Sequence, residues 1–332
     1  MPLVSIVIPA YNESPNLLPL YERLNEITSA MPTYTFEFLF VDDGSNDNTP
    51  FQLASLHLLD SRVRALRLSR NFGSHAACLA GVGEARGDYV MIMAADLQDP
   101  PELIPKMLAE MEGKADVVLA VRSRRQDPWL TIKFANIYHR LMRRYAVSSW
   151  PETGADVVMM RRSVCQAVLR WRQKNTSLFA QVMWTGFRQV SIPYDRQQRR
   201  AGESKWTVRK KIKLFVDSFV AFSFSPIRFI SYSGMAVSAL GFAYAVFIAL
   251  NKLLIGQPIP GWSSLMIVLL LVSGFQLLML GLIGEYLWRI ADDVRGSPPF
   301  VVQARLGEGD SDSGDYWTDA VEQVNVSNSR NQ

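Results

Sequence analysis

Cysteine and histidine are both scarce in this chain of 332 residues. The two cysteines, Cys78 and Cys165, cannot form the multi-bridge framework that stabilises small secreted domains. The three histidines, His57, His75 and His139, lack the spacing of zinc ligands. We therefore expect a reducing compartment, buried cysteines, and a fold that depends on a hydrophobic core instead of disulfides or zinc.

Charged residues are absent from two long apolar runs, Phe229 to Leu250 and Trp262 to Gly284. As helices that rise about 1.5 Å per residue, both can cross a hydrocarbon core of roughly 30 Å. The runs predict two transmembrane helices, and the alternative is a pair of buried helices in a soluble core. The N-terminal segment lacks the basic start and cleavage-type site of a secretory signal peptide, so we expect no signal peptide.

Basic residues are distributed unevenly around these two runs. The connecting segment from Asn251 to Gly261 contains one basic residue, Lys252. Several basic residues flank the pair on the outside: Arg209, Lys210, Lys211 and Lys213 before it, and Arg289 and Arg295 after it. The positive-inside rule then places both termini in the cytoplasm of a multi-pass protein of the cell (inner) membrane.

The formal net charge of +4 conceals an acidic C-terminal tail. From Gln303 onward there are six acidic and two basic residues, so the rest of the chain is more basic than the total indicates. A basic surface suits anionic lipids or phosphate-bearing substrates, although a solvated basic face explains the same charges. We expect a membrane and small phosphate-bearing partners, and no nucleic acid.

Short apolar runs alternate with amphipathic stretches over the first 120 or so residues, which is typical of βαβ units. The pattern predicts an α/β fold with a doubly wound, mostly parallel sheet. The expected strands are Leu3–Ile8, Phe36–Val41, Val63–Leu68, Tyr89–Met93 and Val117–Val121, and the expected helices are Leu17–Ala30, Thr49–Leu59, Ser74–Ala85 and Pro101–Met111.

The region from 125 to 228 gives a weaker pattern. We expect a strand at Asp156–Met160 and another at Gln189–Pro193, with helices at Leu130–Tyr145 and Ser163–Arg172. From Thr207, apolar residues recur at helical spacing opposite basic ones, which is typical of a helix lying on a membrane surface.

Polar residues follow the predicted strands, where ligands bind in such sheets. Asp96 follows the fourth strand and is an oxygen ligand of the kind Mg²⁺ uses beside substrate phosphates. An aspartate at a strand end can also simply cap the next helix.

Five motifs occur in order along the chain: VSIVIPAYNE from Val4, VDDGS from Val41, RNFGSHAA from Arg70, ADLQDPP from Ala95 and RRAGESKW from Arg199. Together they resemble the family-2 inverting glycosyltransferases, and within these the polyprenyl-phosphate glycosyltransferases. The resemblance covers about residues 3 to 302, including the hydrophobic hairpin. It implies a nucleotide-sugar transferase type A fold and transfer of a hexose, with UDP-glucose the first choice of donor, to a lipid such as undecaprenyl phosphate. Homo-oligomers are compatible with it.

The resemblance also implies the donor site. Pro9, Tyr11, Glu13 and Asp42 would contact the nucleotide base and ribose, Arg122 the diphosphate, and Asp96 with Gln98 would hold Mg²⁺ or Mn²⁺. The family usually has a second carboxylate two residues before Asp96, where this chain has Ala94. We therefore expect weaker metal binding than the family pattern provides.

An acceptor phosphate requires cationic donors. Arg199, Ser204 and Lys205 lie just before the interfacial helix, at the depth expected for a lipid headgroup, and Arg125 resembles a family arginine near the phosphates. A basic anchor for anionic lipids is the alternative. Asp156 aligns with a family aspartate assigned as catalytic base; it could instead orient the sugar or the metal, or cap a helix.

The expected organisation is a cytoplasmic glycosyltransferase domain (1–206), a juxtamembrane amphipathic helix (207–228), two transmembrane helices (229–288, as 229–250 and 262–288), a cytoplasmic segment (289–302) and a disordered acidic tail (303–332). Two other functions stay open. A processive polysaccharide synthase would carry a Gln-X-X-Arg-Trp motif, but three residues separate Gln166 from Arg170 here. A non-catalytic membrane scaffold derived from the family would explain Ala94.

Overall fold

The computed structural model describes residues 1–123, 129–147, 149–151, 154–171, 177–197, 222–223, 225–255, 261–307 and 317. The chain divides into two compact units: Met1–Ala221 with Pro298–Gln332, and Phe222–Ser297. The first is the α/β unit and the second contains two long helices.

The α/β unit is built on one eight-stranded sheet with the strand order β7-β5-β6-β4-β1-β2-β3-β8. All strands run in the same direction except β6 and β8, which run antiparallel to their neighbours. The strands are β1 Leu3–Ala10, β2 Thr35–Asp42, β3 Val63–Leu68, β4 Tyr89–Ile92, β5 Val117–Arg122, β6 Ala155–Arg161, β7 Gln189–Tyr194 and β8 Val302–Leu306. The mostly parallel, doubly wound sheet is thereby confirmed, as a mixed sheet.

Helices cover both faces of this sheet. They are α1 Ser14–Ser29, α2 Thr49–Leu59, α3 Ser74–Glu84, α4 Leu103–Glu112, α5 Trp129–Tyr145, α6 Arg162–Leu169 and α7 Leu178–Trp184. Alternate residues of β1 point to opposite layers, because successive strand side chains alternate. Ile6 and Ile8 pack in one core with Leu17 of α1, whereas Val7 packs against α3. A Cβ at Gly81 would lie 2.2 Å from Val7 Cγ1, so only glycine allows α3 to approach β1 this closely.

The predicted elements of this unit are confirmed to within a few residues, with three differences. Helix α6 ends at Leu169, not at Arg172, and helix α7 was not predicted. The third difference concerns β8: the sequence predicts a short strand within 298–302 and a disordered tail over 303–332, whereas the strand spans Val302–Leu306. Residues 304–306 instead pair with β3, and Trp317 is 1% exposed among core side chains.

The second unit contains α8 Ser225–Ile255 and α9 Trp262–Val294. Each includes a segment long and apolar enough to cross a membrane, Ile227–Ile248 and Leu271–Val294, with 6% and 0% of the residues buried. Exposed apolar side chains argue against the alternative of two soluble core helices. Helix α9 continues past the predicted end at residue 288, where Arg289 pairs with Glu285 one turn earlier at 2.8 Å.

Candidate active site

The predicted donor-site residues, all of which the structure describes, lie at one edge of the sheet, where β1, β2, β4, β5 and β7 end. Strand β6 runs the other way, so its first residues lie at this same edge. Asp156, the second residue of β6, is therefore brought beside Arg122, the last residue of β5. In α/β sheets this edge is the usual place for a ligand.

Two loops interlock at the ends of β1 and β2. The Asn12 amide donates to Ser45 Oγ (2.9 Å), the Asn46 amide to Asn12 Oδ1 (2.9 Å), and the Glu13 amide to Thr49 Oγ1 (3.0 Å). Asn12 has a positive φ of 52°, a conformation that asparagine tolerates better than most residues. These bonds fix the segment that carries Tyr11 and Glu13.

The residues predicted to contact the base and ribose differ in how deeply they are buried. Pro9, Tyr11 and Glu13 are half-buried, and the Glu13 carboxylate accepts a bond from Asn16 Nδ2 at 2.6 Å. Asp42 is fully buried: its Oδ1 accepts the Ser45 amide at 2.8 Å, and its Oδ2 accepts a bond from the Arg67 guanidinium. A direct contact of Asp42 with a nucleotide therefore stays a prediction, whereas its role in fixing the loop is visible.

Asp96 and Gln98 lie on a tight turn after β4. Leu97 between them has a φ of 59°, and the Gln98 amide donates to Asp96 Oδ1 at 3.2 Å. Gln98 Nε2 faces the carbonyl oxygen of Gln197 at 3.4 Å, and the Gln197 amide donates to the Gln98 carbonyl at 2.9 Å. The turn is thus tied to the segment that follows β7. The side chain of Ala94, half-buried, has no ligand atom.

A four-residue network, made of Asp99, Arg122, Asp156 and Tyr194, forms the centre of the site. Arg122 donates two hydrogen bonds to Asp156: Nε to Oδ2, and Nη2 to Oδ1 at 2.7 Å. The Tyr194 hydroxyl lies 2.7 Å from Asp99 Oδ1 and 3.1 Å from Asp156 Oδ2. It therefore bridges two carboxylates from separate parts of the chain, Asp99 in the loop after β4 and Asp156 on β6.

The two carboxylates of this network have opposite electrostatic environments. Burial raises the pKa of Asp99 to about 6, helped by the negative charge of Asp156. Burial would also raise the pKa of Asp156, but the hydrogen bonds and positive charge of Arg122 outweigh it and hold that pKa below its ordinary value. Asp156 is thus a stable anion near neutral pH and a weak proton acceptor.

Four predicted acceptor-site residues lie outside the described residues: Arg125, Arg199, Ser204 and Lys205. The interfacial helix predicted from Thr207 lies outside them as well. Their roles stay predictions.

Sequence reasoning missed three residues of the site. Asp99 is within the quoted ADLQDPP motif, but only its neighbours were given roles. Tyr194 comes one residue after the strand predicted to end at Pro193. Arg67 is a charged residue in an otherwise apolar part of β3, and this feature could have marked it as a candidate.

Comparison with known proteins identifies the family. The sequence profile of Glycosyl transferase family 2 matches residues 5–203. The chain belongs to this family. It is a glycosyltransferase, as the motifs at the sheet edge predicted.

The similar curated proteins match almost their whole length. An uncharacterized glycosyltransferase, YkcC of Bacillus subtilis, is 38% identical over 91% of this chain and 94% of its own. An undecaprenyl-phosphate 4-deoxy-4-formamido-L-arabinose transferase of Edwardsiella ictaluri is 35% identical (90% and 93%). The bactoprenol glucosyl transferase of Shigella phage SfII is 32% identical (90% and 97%).

Among solved structures, the mannosyltransferase PcManGT of Pyrobaculum calidifontis, in complex with GDP-Man and Mn²⁺, is 17% identical. It covers 87% of this chain and 86% of its own, with a TM-score of 0.47. A similarity this distant carries no information about the donor or the metal of this chain.

Proposed function

We propose that this glycosyltransferase moves a hexose from a nucleotide sugar to a polyprenyl phosphate such as undecaprenyl phosphate, with inversion at the anomeric carbon. A UDP-sugar is the favoured donor, and UDP-glucose the first to test. The names of the Edwardsiella and Shigella phage relatives support the lipid acceptor, and one of them supports glucose. The observation that carries the proposal is the convergence of Asp96, Gln98, Arg122 and Asp156 at one sheet edge.

The chemistry fits these residues without a strong base. One oxygen of the ionised lipid phosphate attacks the anomeric carbon, and the bond from that carbon to the donor's diphosphate breaks, releasing the nucleoside diphosphate. Little proton removal is needed, so positioning and charge stabilisation supply most of the rate. Arg122 is a cation held in place by Asp156 and suited to the phosphate groups.

A divalent cation, Mg²⁺ or Mn²⁺, fits the site only if oxygens of the substrate supply some of its ligands. Among the described residues no group of three or more His, Cys, Asp or Glu side chains could hold a metal. Asp96 would supply one carboxylate. Gln98 would supply its amide oxygen, since its amide nitrogen faces Gln197. Mg²⁺ commonly uses one or two carboxylates with phosphate oxygens. When bound, the cation would neutralise charge developing on the diphosphate.

The two apolar helices and their flanking charges support a location for the reaction. With two spans and basic residues outside them, the catalytic unit and both termini would lie on the cytoplasmic side of the inner membrane. Arg125, Arg199, Ser204 and Lys205 would bind the acceptor phosphate there. A homo-oligomer stays a prediction.

The test is nucleotide release by the detergent-purified full chain, with undecaprenyl phosphate, Mg²⁺ or Mn²⁺, and a panel of UDP- and GDP-sugars. We expect release that requires the lipid and one donor, and its loss in Asp96→Asn. Asp88→Asn is the matched control, since this exposed carboxylate accepts the Leu3 amide (2.9 Å) near the start of β4, away from the site. Lipid-dependent release that survives in Asp96→Asn would remove Asp96 from the mechanism. No release with any donor would favour the scaffold reading.

A further inference from the structure

Arg67 of β3 joins three separate segments of the α/β unit. Its guanidinium donates to Asp42 Oδ2 at the end of β2, and its Nη2 donates to the Ser45 carbonyl oxygen at 3.1 Å. Its Nε donates to Gln303 Oε1 of β8 at 3.3 Å. This side chain of β3 therefore connects the end of β2 and the loop after it with the edge strand β8.

The Asp42 contact has the largest physical consequence. Asp42 is fully buried, and burying a carboxylate is costly unless it has a counter-charge and hydrogen bonds. Arg67 provides the charge, and the Ser45 amide satisfies the other oxygen. Because Ser45 Oγ in turn holds the Asn12 amide, Arg67 fixes both loops predicted to contact the base and ribose.

Strand β8 supports Arg67 from the other side. It pairs antiparallel to β3 with Ala304 opposite Arg67, and the Ser69 amide donates to the Val301 carbonyl at 3.0 Å. Gln303 is exposed and lies toward the functional edge. At the other end of β8, Arg305 pairs with Glu84 at 2.8 Å. The strand is thus anchored independently of its contact with Arg67.

We propose that Arg67 is a positioning residue for the donor nucleotide, which shapes the base-binding loops through Asp42 and Ser45, and that β8 completes this support through Gln303. The inference rests on the proposed function, since its ligand is the nucleoside diphosphate part of the donor. It assigns a role in donor binding to a strand that follows the membrane hairpin in the sequence.

The experiment measures the Kd of UDP and of GDP for the full chain in detergent with Mg²⁺, by calorimetry, together with kcat and both KM values. Arg67→Ala should raise the Kd and the donor KM about tenfold or more, because a buried charge loses its partner. Arg67→Lys should raise them about fivefold, because lysine keeps the charge but lacks the fork that reaches Ser45 and Gln303. Gln303→Ala should raise them about threefold, as expected for loss of one hydrogen bond.

Neither kcat nor the KM for the lipid should change by more than about twofold in these variants, since only donor binding is affected. Arg305→Ala is the control: it weakens the same strand away from the site and should leave the Kd unchanged. If Arg67→Ala does not fold, Arg67→Lys and Gln303→Ala decide the question.

Two results would overturn the inference: a Kd unchanged in both Arg67→Lys and Gln303→Ala, or a Kd raised equally by Arg305→Ala and Gln303→Ala, which would indicate strand stability alone. If the wild-type chain binds neither UDP nor GDP, the proposed function fails together with the inference. Binding by the wild type with unchanged variants overturns the inference alone.

Discussion

Replacing Asp156 with asparagine removes the negative half of the Arg122–Asp156 ion pair and leaves its shape almost unchanged. If Asp156 serves to hold Arg122, the rate loss in Asp156→Asn should depend on the presence of Arg122. If Asp156 acts as a base by itself, the two losses should be independent. A double-mutant cycle distinguishes these roles.

The burial of the pair sets the expected size of this coupling. The Arg122 and Asp156 side chains are 20% and 24% exposed, so the pair is neither fully buried nor at the surface. Removing one partner of a buried pair costs about 3–5 kcal/mol, and exposed pairs contribute about 0–1 kcal/mol. An intermediate coupling of about 2 kcal/mol corresponds to about 30-fold in rate.

The assay is kcat/KM for lipid-dependent nucleotide release by Asp156→Asn, Arg122→Ala and the double variant. The double variant should lose no more activity than Arg122→Ala, with a coupling of about 30-fold. Asp116→Asn is the matched control, because Asp116 pairs with Arg161 at 3.5 Å at the opposite end of β5 and β6. It should keep full activity. Losses that simply multiply in the double variant would refute the positioning role and restore Asp156 as a base.

Three further predictions concern other parts of the molecule. Ala94→Asp should add the missing carboxylate and lower the Mg²⁺ or Mn²⁺ concentration for half-maximal activity several-fold; an unchanged metal titration would mean that residue 94 does not face the cation. Gly154→Ala should lower the Tm more than Gly186→Ala, by the equivalent of roughly 1–2 kcal/mol. Both glycines have positive φ (78° and 75°), but only at Gly154 would a Cβ meet His139, 2.8 Å from its Cε1; equal shifts would contradict this. Trp317→Ala should destabilise the α/β unit by about 3–5 kcal/mol in thermal unfolding, since the side chain is 1% exposed, and an unchanged Tm would contradict its packing in the core.

Local pattern was enough to find the strands that build the site. Leu3–Ala10 and Thr35–Asp42 are mostly apolar, as strands with both faces covered usually are, and such runs are recognisable without any partner. The polar residues that follow them were therefore placed correctly at the sheet edge. The tight turn at Leu97 was not visible in the sequence, since its positive φ depends on the surrounding loop.

The connections between strands were not predictable in the same way. Asp156 meets Arg122 only because β6 runs antiparallel to β5, and strand direction leaves no trace in residue periodicity. Tyr194 joins them because β7 lies parallel beside β5. The pairing of Ala65 with Leu306 spans most of the chain, so no local pattern could connect the C-terminal segment to the sheet.

Transfer of one sugar to a polyprenyl phosphate is best tested by measuring the mass of the lipid product. The full chain would be incubated with undecaprenyl phosphate, metal and the donor selected by nucleotide release. The lipids would then be extracted and their masses measured by mass spectrometry. We expect a single new species heavier by one hexose, absent in Asp96→Asn. A ladder of added sugars would indicate a processive synthase, and nucleotide release without any sugar on the lipid would exclude the lipid as acceptor.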